Sequence, residues 1–129
     1  MKRKLIVLTI SLLMLFSSTA WAISWDNFMW CKSSGEQTAD ATVYTGTCFL
    51  VGVIILTDGS NDATAILYDN TASSGTKIWE AKIVSSDQYG GGMLPYPIYC
   101  ETGIRVDLTG TGASAIVFYR ESNQYKQPR

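Results

Sequence analysis

Cys48-Phe49-Leu50-Val51-Gly52-Val53-Ile54-Ile55-Leu56-Thr57 is the stretch on which the fold turns. It is rich in β-branched side chains and nearly continuous in apolar character, which suits a strand covered on both faces. From residue 47 onward the chain keeps to short apolar runs separated by turn residues. Asp58-Gly59-Ser60-Asn61-Asp62 is a turn, and residues 63–69 (ATAILYD) form a second strand before a polar loop. Residues 77–84 (KIWEAKIV) form a third. There Trp79, Ala81 and Ile83 alternate with Glu80 and Lys82, so the Trp79 face points inward. Residues 93–100 (MLPYPIYC) follow a Gly90-Gly91-Gly92 loop. Pro95 and Pro97 cannot donate to a ladder and mark this run as an edge strand or an extended crossing segment.

Ile104, Val106 and Leu108 alternate with Arg105, Asp107 and Thr109, and residues 113–120 (ASAIVFYR) return after Gly110-Thr111-Gly112. Two β-rich runs about a short glycine-bearing turn predict a hairpin. Turns recur at about ten-residue spacing, and no helical period is found in residues 23–129. The expected fold is all-β, an antiparallel β-sandwich of jelly-roll or immunoglobulin-like type, with core strands over 47–121. Residues 23–46 read as an irregular segment whose Trp25, Phe28, Met29 and Trp30 add a strand or cover one open end of the core. Residues 122–129 read as a tail.

Residues 1–22 have the order of a cleavable export signal. Lys2-Arg3-Lys4 leads a 12-residue apolar run, and Ala20-Trp21-Ala22 places small residues at the −3 and −1 positions of the cut. The run is well short of the roughly 20 residues that span a bilayer as a helix. Cleavage after Ala22 leaves a single domain, 23–129, in the periplasm or outside the cell, with membrane contact only through an uncleaved leader. Loss of the leader leaves seven basic against 11 acidic residues, so nucleic acid is not an expected partner.

The chain holds no histidine, which removes the commonest general base and the commonest zinc ligand. No Ser-x-x-Lys or Gly-x-Ser-x-Gly word is present to activate a serine. Asp69, Glu80, Asp87, Glu101 and Asp107 are the carboxylates a glycosidase pair would draw on, but such residues in a small β domain are ordinarily solvated surface charges. The cluster from Asp58 to Asp62 lacks the glycine and the distal glutamate of a calcium loop, and reads as a turn. The expectation is a protein that is not an enzyme and carries no cofactor or metal.

Three cysteines, Cys31, Cys48 and Cys100, follow the leader, and an oxidising compartment permits one disulfide. Under up-and-down alternation Cys48 opens the first core strand and Cys100 closes the fourth, at the same end. Cys48–Cys100 is therefore the preferred pair, with Cys31–Cys48 next. The aromatic inventory is large for so small a core: Trp25, Trp30, Trp79, Tyr89, Tyr96, Tyr99, Tyr119 and Tyr125. Trp79 and Tyr119 are assigned to the core. Tyr89 and Tyr96 flank the glycine run and are the candidate binding residues, suited to stacking on a sugar ring or anchoring a protein.

The words Asp58-Gly59-Ser60-Asn61-Asp62-Ala63-Thr64, Leu67-Tyr68-Asp69-Asn70-Thr71-Ala72, Gly103-Ile104-Arg105-Val106-Asp107 and Leu108-Thr109-Gly110-Thr111-Gly112-Ala113 carry a resemblance. Residues 52–119 resemble small β-sandwich proteins encoded among tailed-phage and prophage genes, here with an added export signal. The resemblance implies a structural or virion-associated role and carries over no catalytic position. The functional expectation is an exported, non-catalytic protein with a structural, assembly or surface-interaction role, through a protein partner or self-association. The alternative is a carbohydrate- or ligand-binding module that uses its exposed tyrosines.

Overall fold

The computed structural model describes residues 31–124. The leader and its cleavage point after Ala22, together with Trp25, Phe28, Met29, Trp30 and Tyr125, lie outside the described residues. Eight strands follow in order: β1 (Lys32–Gln37), β2 (Ala41–Thr45), β3 (Cys48–Leu56), β4 (Ala63–Asp69), β5 (Thr76–Ile83), β6 (Tyr89–Cys100), β7 (Gly103–Thr109) and β8 (Ser114–Glu121). They form two four-stranded antiparallel sheets, ordered β1-β8-β3-β6 and β2-β7-β4-β5. No α-helix occurs among the described residues.

The long apolar run is β3, and it holds a central place in its sheet, paired with β8 on one side and β6 on the other. Alternation divides its side chains. Leu50, Val53 and Ile55 are fully buried in the core, opposite Tyr119, Val117 and Ala115 of β8. Phe49, Ile54 and Leu56 point to the other face and are half-buried. The second sheet supplies Ala65 and Leu67 of β4 and Ile104 and Val106 of β7, and both sheets contribute to one continuous hydrophobic cluster. Trp79 and Tyr119 pack against that cluster, as the sequence led one to expect. A bulge in β5 sets Trp79 opposite Leu67 and Lys77 opposite Tyr68, so the intervening Ile78 also reaches the core.

Two expectations require correction. Residues 23–46 are not irregular throughout, because β1 and β2 form there. Each is a short sheet edge: β1 is mostly exposed and polar and shows no half-buried alternation, whereas β2 is only five residues long and sets Ala41, Val43 and Tyr44 against the core. More consequentially, β7 and β8 are not a hairpin. β7 pairs with β2 and β4 in one sheet, whereas β8 pairs with β1 and β3 in the other. The Gly110-Thr111-Gly112 turn carries the chain between sheets. Gly110 has φ 124° and passes so close to the preceding loop that a Cβ there would lie 2.1 Å from the Asp62 carbonyl oxygen. Among the described residues, β4 and β5 are the one pair both consecutive in the chain and hydrogen-bonded to each other. A contact between Tyr44 of β2 and Tyr119 of β8, ring centroids 5.2 Å apart, links the two sheets.

Candidate functional site

β6 is the free edge of its sheet, and its 12 residues, YGGGMLPYPIYC, include no charged side chain. The expected Gly90-Gly91-Gly92 loop is part of this strand. Glycine is needed there for close approach: Gly91 has φ 91°, and a Cβ on it would stand 2.2 Å from the Val53 carbonyl oxygen.

The ladder to β3 runs Cys48↔Cys100, Phe49↔Tyr99 and Leu50↔Ile98, then resumes at Gly52↔Met93. Val51 alone is thus opposed by Leu94-Pro95-Tyr96-Pro97, so the edge strand bulges outward over those residues. The cause is chemical, since neither proline offers an N–H to the ladder. Leu94 turns back against the core, and Tyr96, between the prolines, is 83% exposed.

Register places the other large side chains of β6. Tyr89 opposes Leu56, Met93 opposes Gly52 and Tyr99 opposes Phe49, all on the face turned away from the core. Tyr89 is 73% exposed, Tyr99 55% and Met93 46%. Tyr99 leans on Phe49 with ring centroids 5.4 Å apart. The half-buried Ile54, Ile116 and Phe118 continue the apolar face on β3 and β8. Tyr89 and Tyr96, the residues singled out from sequence, therefore lie on one strand, joined by Met93 and Tyr99. Those two join the marked tyrosines only through the register against β3, which no local pattern in the sequence signals.

The far end of β6 is anchored twice. The expected Cys48–Cys100 disulfide is not formed in the structure: the two are register partners and fully buried, but both are free thiols whose sulfurs are not at bonding distance. The Cys100 Sγ donates to the Ile98 carbonyl at 3.7 Å. The hydrogen bond between the two thiols, with burial added, pushes the Cys48 thiol far above its ordinary range, so it stays protonated. Cys31, ahead of β1, is also a free thiol. Beside the pair, Asp69 at the end of β4 receives the turn that leaves β6. Its Oδ2 accepts from the Glu101 N–H at 2.9 Å, and its Oδ1 from Thr102 and Gly103 at 2.8 and 3.2 Å. Partial burial pushes this carboxyl up, but the three amides outweigh it and hold it below the usual range.

Of the other candidate carboxylates, Glu80 and Asp107 have side-chain partners, as does Asp58, and those of Asp87 and Glu101 have none among the described residues. Glu80 pairs with Lys77, and Asp107 accepts from Arg105 Nε and Ser73 Oγ, both at 3.0 Å. Asp58 closes its own turn, accepting from the Ser60 and Asn61 amides at 2.8 Å and from Asn61 Nδ2 at 2.9 Å. Comparisons of this chain with protein-family models, curated proteins and solved structures return no match.

Proposed function

We propose that this is an exported, non-catalytic β-sandwich of jelly-roll type that works by surface contact, and that β6 mediates its association with a second copy of the chain. The strand orders β1-β8-β3-β6 and β2-β7-β4-β5 support the jelly-roll reading, since two interlocked Greek keys produce that arrangement. The charged leader followed by a short apolar run supports export. The absence of histidine from the sequence supports a non-catalytic role, and the resemblance of residues 52–119 to sandwich proteins of phage genes supports a structural one.

A single observation carries the assembly reading: an uncharged edge strand that displays Tyr89, Met93, Tyr96 and Tyr99. Free edges are ordinarily blunted with lysine or other charges because their unpaired N–H and C=O groups recruit further strands. Here only Pro95 and Pro97 blunt one half, and the half from Tyr89 to Met93 keeps its backbone donors. Light scattering across a concentration series tests this. Dimers or larger species are expected for the parent chain, and monomers for a Met93→Lys/Tyr96→Lys variant of unchanged melting temperature. A parent chain that stays monomeric at high concentration rules the reading out.

The exposure of Tyr96 between two prolines favours a second reading, a carbohydrate ligand stacked on that ring. A glycan array probed with the parent chain and with Tyr89→Ala/Tyr96→Ala separates the two readings. Saccharide binding lost in the variant supports the second, and an array without hits eliminates it.

A further inference from the structure

We infer that Cys48 and Cys100 are an oxidisable pair, and that a Cys48–Cys100 disulfide staples the end of β6 to β3 while Cys31 remains a free thiol. The inference stands apart from any partner of β6. The two cysteines are direct antiparallel register partners, both fully buried in the same core cluster. Paired residues in such ladders hold their Cα atoms about 4.5–5.5 Å apart, inside the roughly 4.4–6.8 Å that a disulfide spans. Cys31 cannot compete. It immediately precedes β1, which β8 separates from β3, and two strand spacings are about 9.5 Å. Cys100, on β6, is one spacing farther still. The alternative pairing Cys31–Cys48 is therefore set aside on strand order alone.

The chemistry needs a disulfide oxidant, here a low-molecular-weight disulfide such as oxidised glutathione. One cysteine thiolate attacks it, breaking the oxidant's S–S bond, releasing one glutathione thiolate and leaving a cysteine–glutathione mixed disulfide. The second cysteine thiolate displaces the other glutathione and forms the Sγ–Sγ bond. The two protons lost by the cysteines and the two electrons leave with two reduced glutathiones. In the folded domain both sulfurs are shielded and Cys48 is held neutral, so the reaction belongs to a late folding stage. At that stage β1, β8 and β3 are already assembled, and the end of β6 has reached its register with β3 but still admits the oxidant.

The reduced chain is refolded in a glutathione redox buffer, blocked with a maleimide under denaturing conditions without reductant, and mapped by peptide mass spectrometry. The expected product is one linked peptide pair, Cys48 with Cys100, lighter by two hydrogens, with Cys31 blocked. The Cys31→Ser chain is expected to cross-link in the same way. Reducing the cross-linked protein is expected to lower its melting temperature by roughly 10 °C. The already folded, reduced protein is expected to react with the same buffer far more slowly than the refolding chain. Recovery of Cys48 and Cys100 both blocked after refolding, or of a linkage through Cys31, overturns the inference.

Discussion

At the scale of single residues, Asp69 shows how a motif that reads as turn chemistry becomes part of the architecture. Its carboxylate belongs to β4 but receives three amides from the turn between β6 and β7. Burial opposes ionisation and the amides favour it, leaving the folded value below the unfolded value of about 3.9. A depressed carboxylate contributes stability that is fully present above the unfolded value and disappears as pH falls through the folded one. Asp69→Asn keeps one acceptor and removes the charge, so it is expected to destabilise the domain at neutral pH by about 1 kcal/mol. Urea denaturation should show that gap closing as pH falls below the ordinary carboxylate range and on through the lowered folded value, where the parent carboxyl protonates too. A gap that persists unchanged in acid would show that the charge is irrelevant. Asp58, held low by the Ser60 amide and Asn61, and Asp62, held low by Lys82 and the Ser85 amide, titrate in the same sense. The parent domain therefore loses stability in acid through several groups at once.

At the scale of elements, β6 explains why a glycine run sits inside a strand. Its first half needs backbone without side chains to lie against β3, and its second half needs prolines to lift Tyr96 away from the ladder. Gly91→Ala is expected to cost roughly 3 kcal/mol, because a positive φ and a collision with the Val53 carbonyl act together. Gly59→Ala is the contrast. It shares a positive φ, 77°, but its Cβ would meet open space, so only the backbone strain of about 1 kcal/mol is expected. Thermal melting of the two variants side by side checks the difference. Equal losses would mean that β6 does not seat against β3 as described.

At the scale of the whole molecule, the connectivity sets the folding problem. Apart from β4 with β5, the hydrogen-bonded strand pairs join segments that are not consecutive in the chain, and β1 completes its sheet only once β8 has arrived. Loop-closure entropy is then lost before most native contacts form, which slows folding. Stopped-flow refolding is expected to show a dominant phase between milliseconds and seconds, the range of non-local β topologies. A microsecond phase carrying the full amplitude would contradict the topology. The same connectivity gives the thiol pair its importance, since the link would join the first strand of the core run to the last residue of the edge strand.

The sequence by itself determined where β3, β4, β5, β7 and β8 begin and end to within a residue or so, and which faces of β5 and β7 turn inward. Those properties follow from local alternation and from turn residues, which act over a few positions. It also brought Cys48 and Cys100 to one end of the domain, and it marked Tyr89 and Tyr96. Only the tertiary structure decided strand partnership. Gly110-Thr111-Gly112 specifies a reversal of direction but not which neighbour each strand meets, so a predicted hairpin became a crossing between sheets. β1 and β2 were illegible for a related reason: edge strands this short owe their order to the sheets they border rather than to their own residues. The joining of Met93 and Tyr99 with the two marked tyrosines required the register against β3 and the bulge at the prolines. Register is set by distant strands completing one core, and no short window of sequence contains that information.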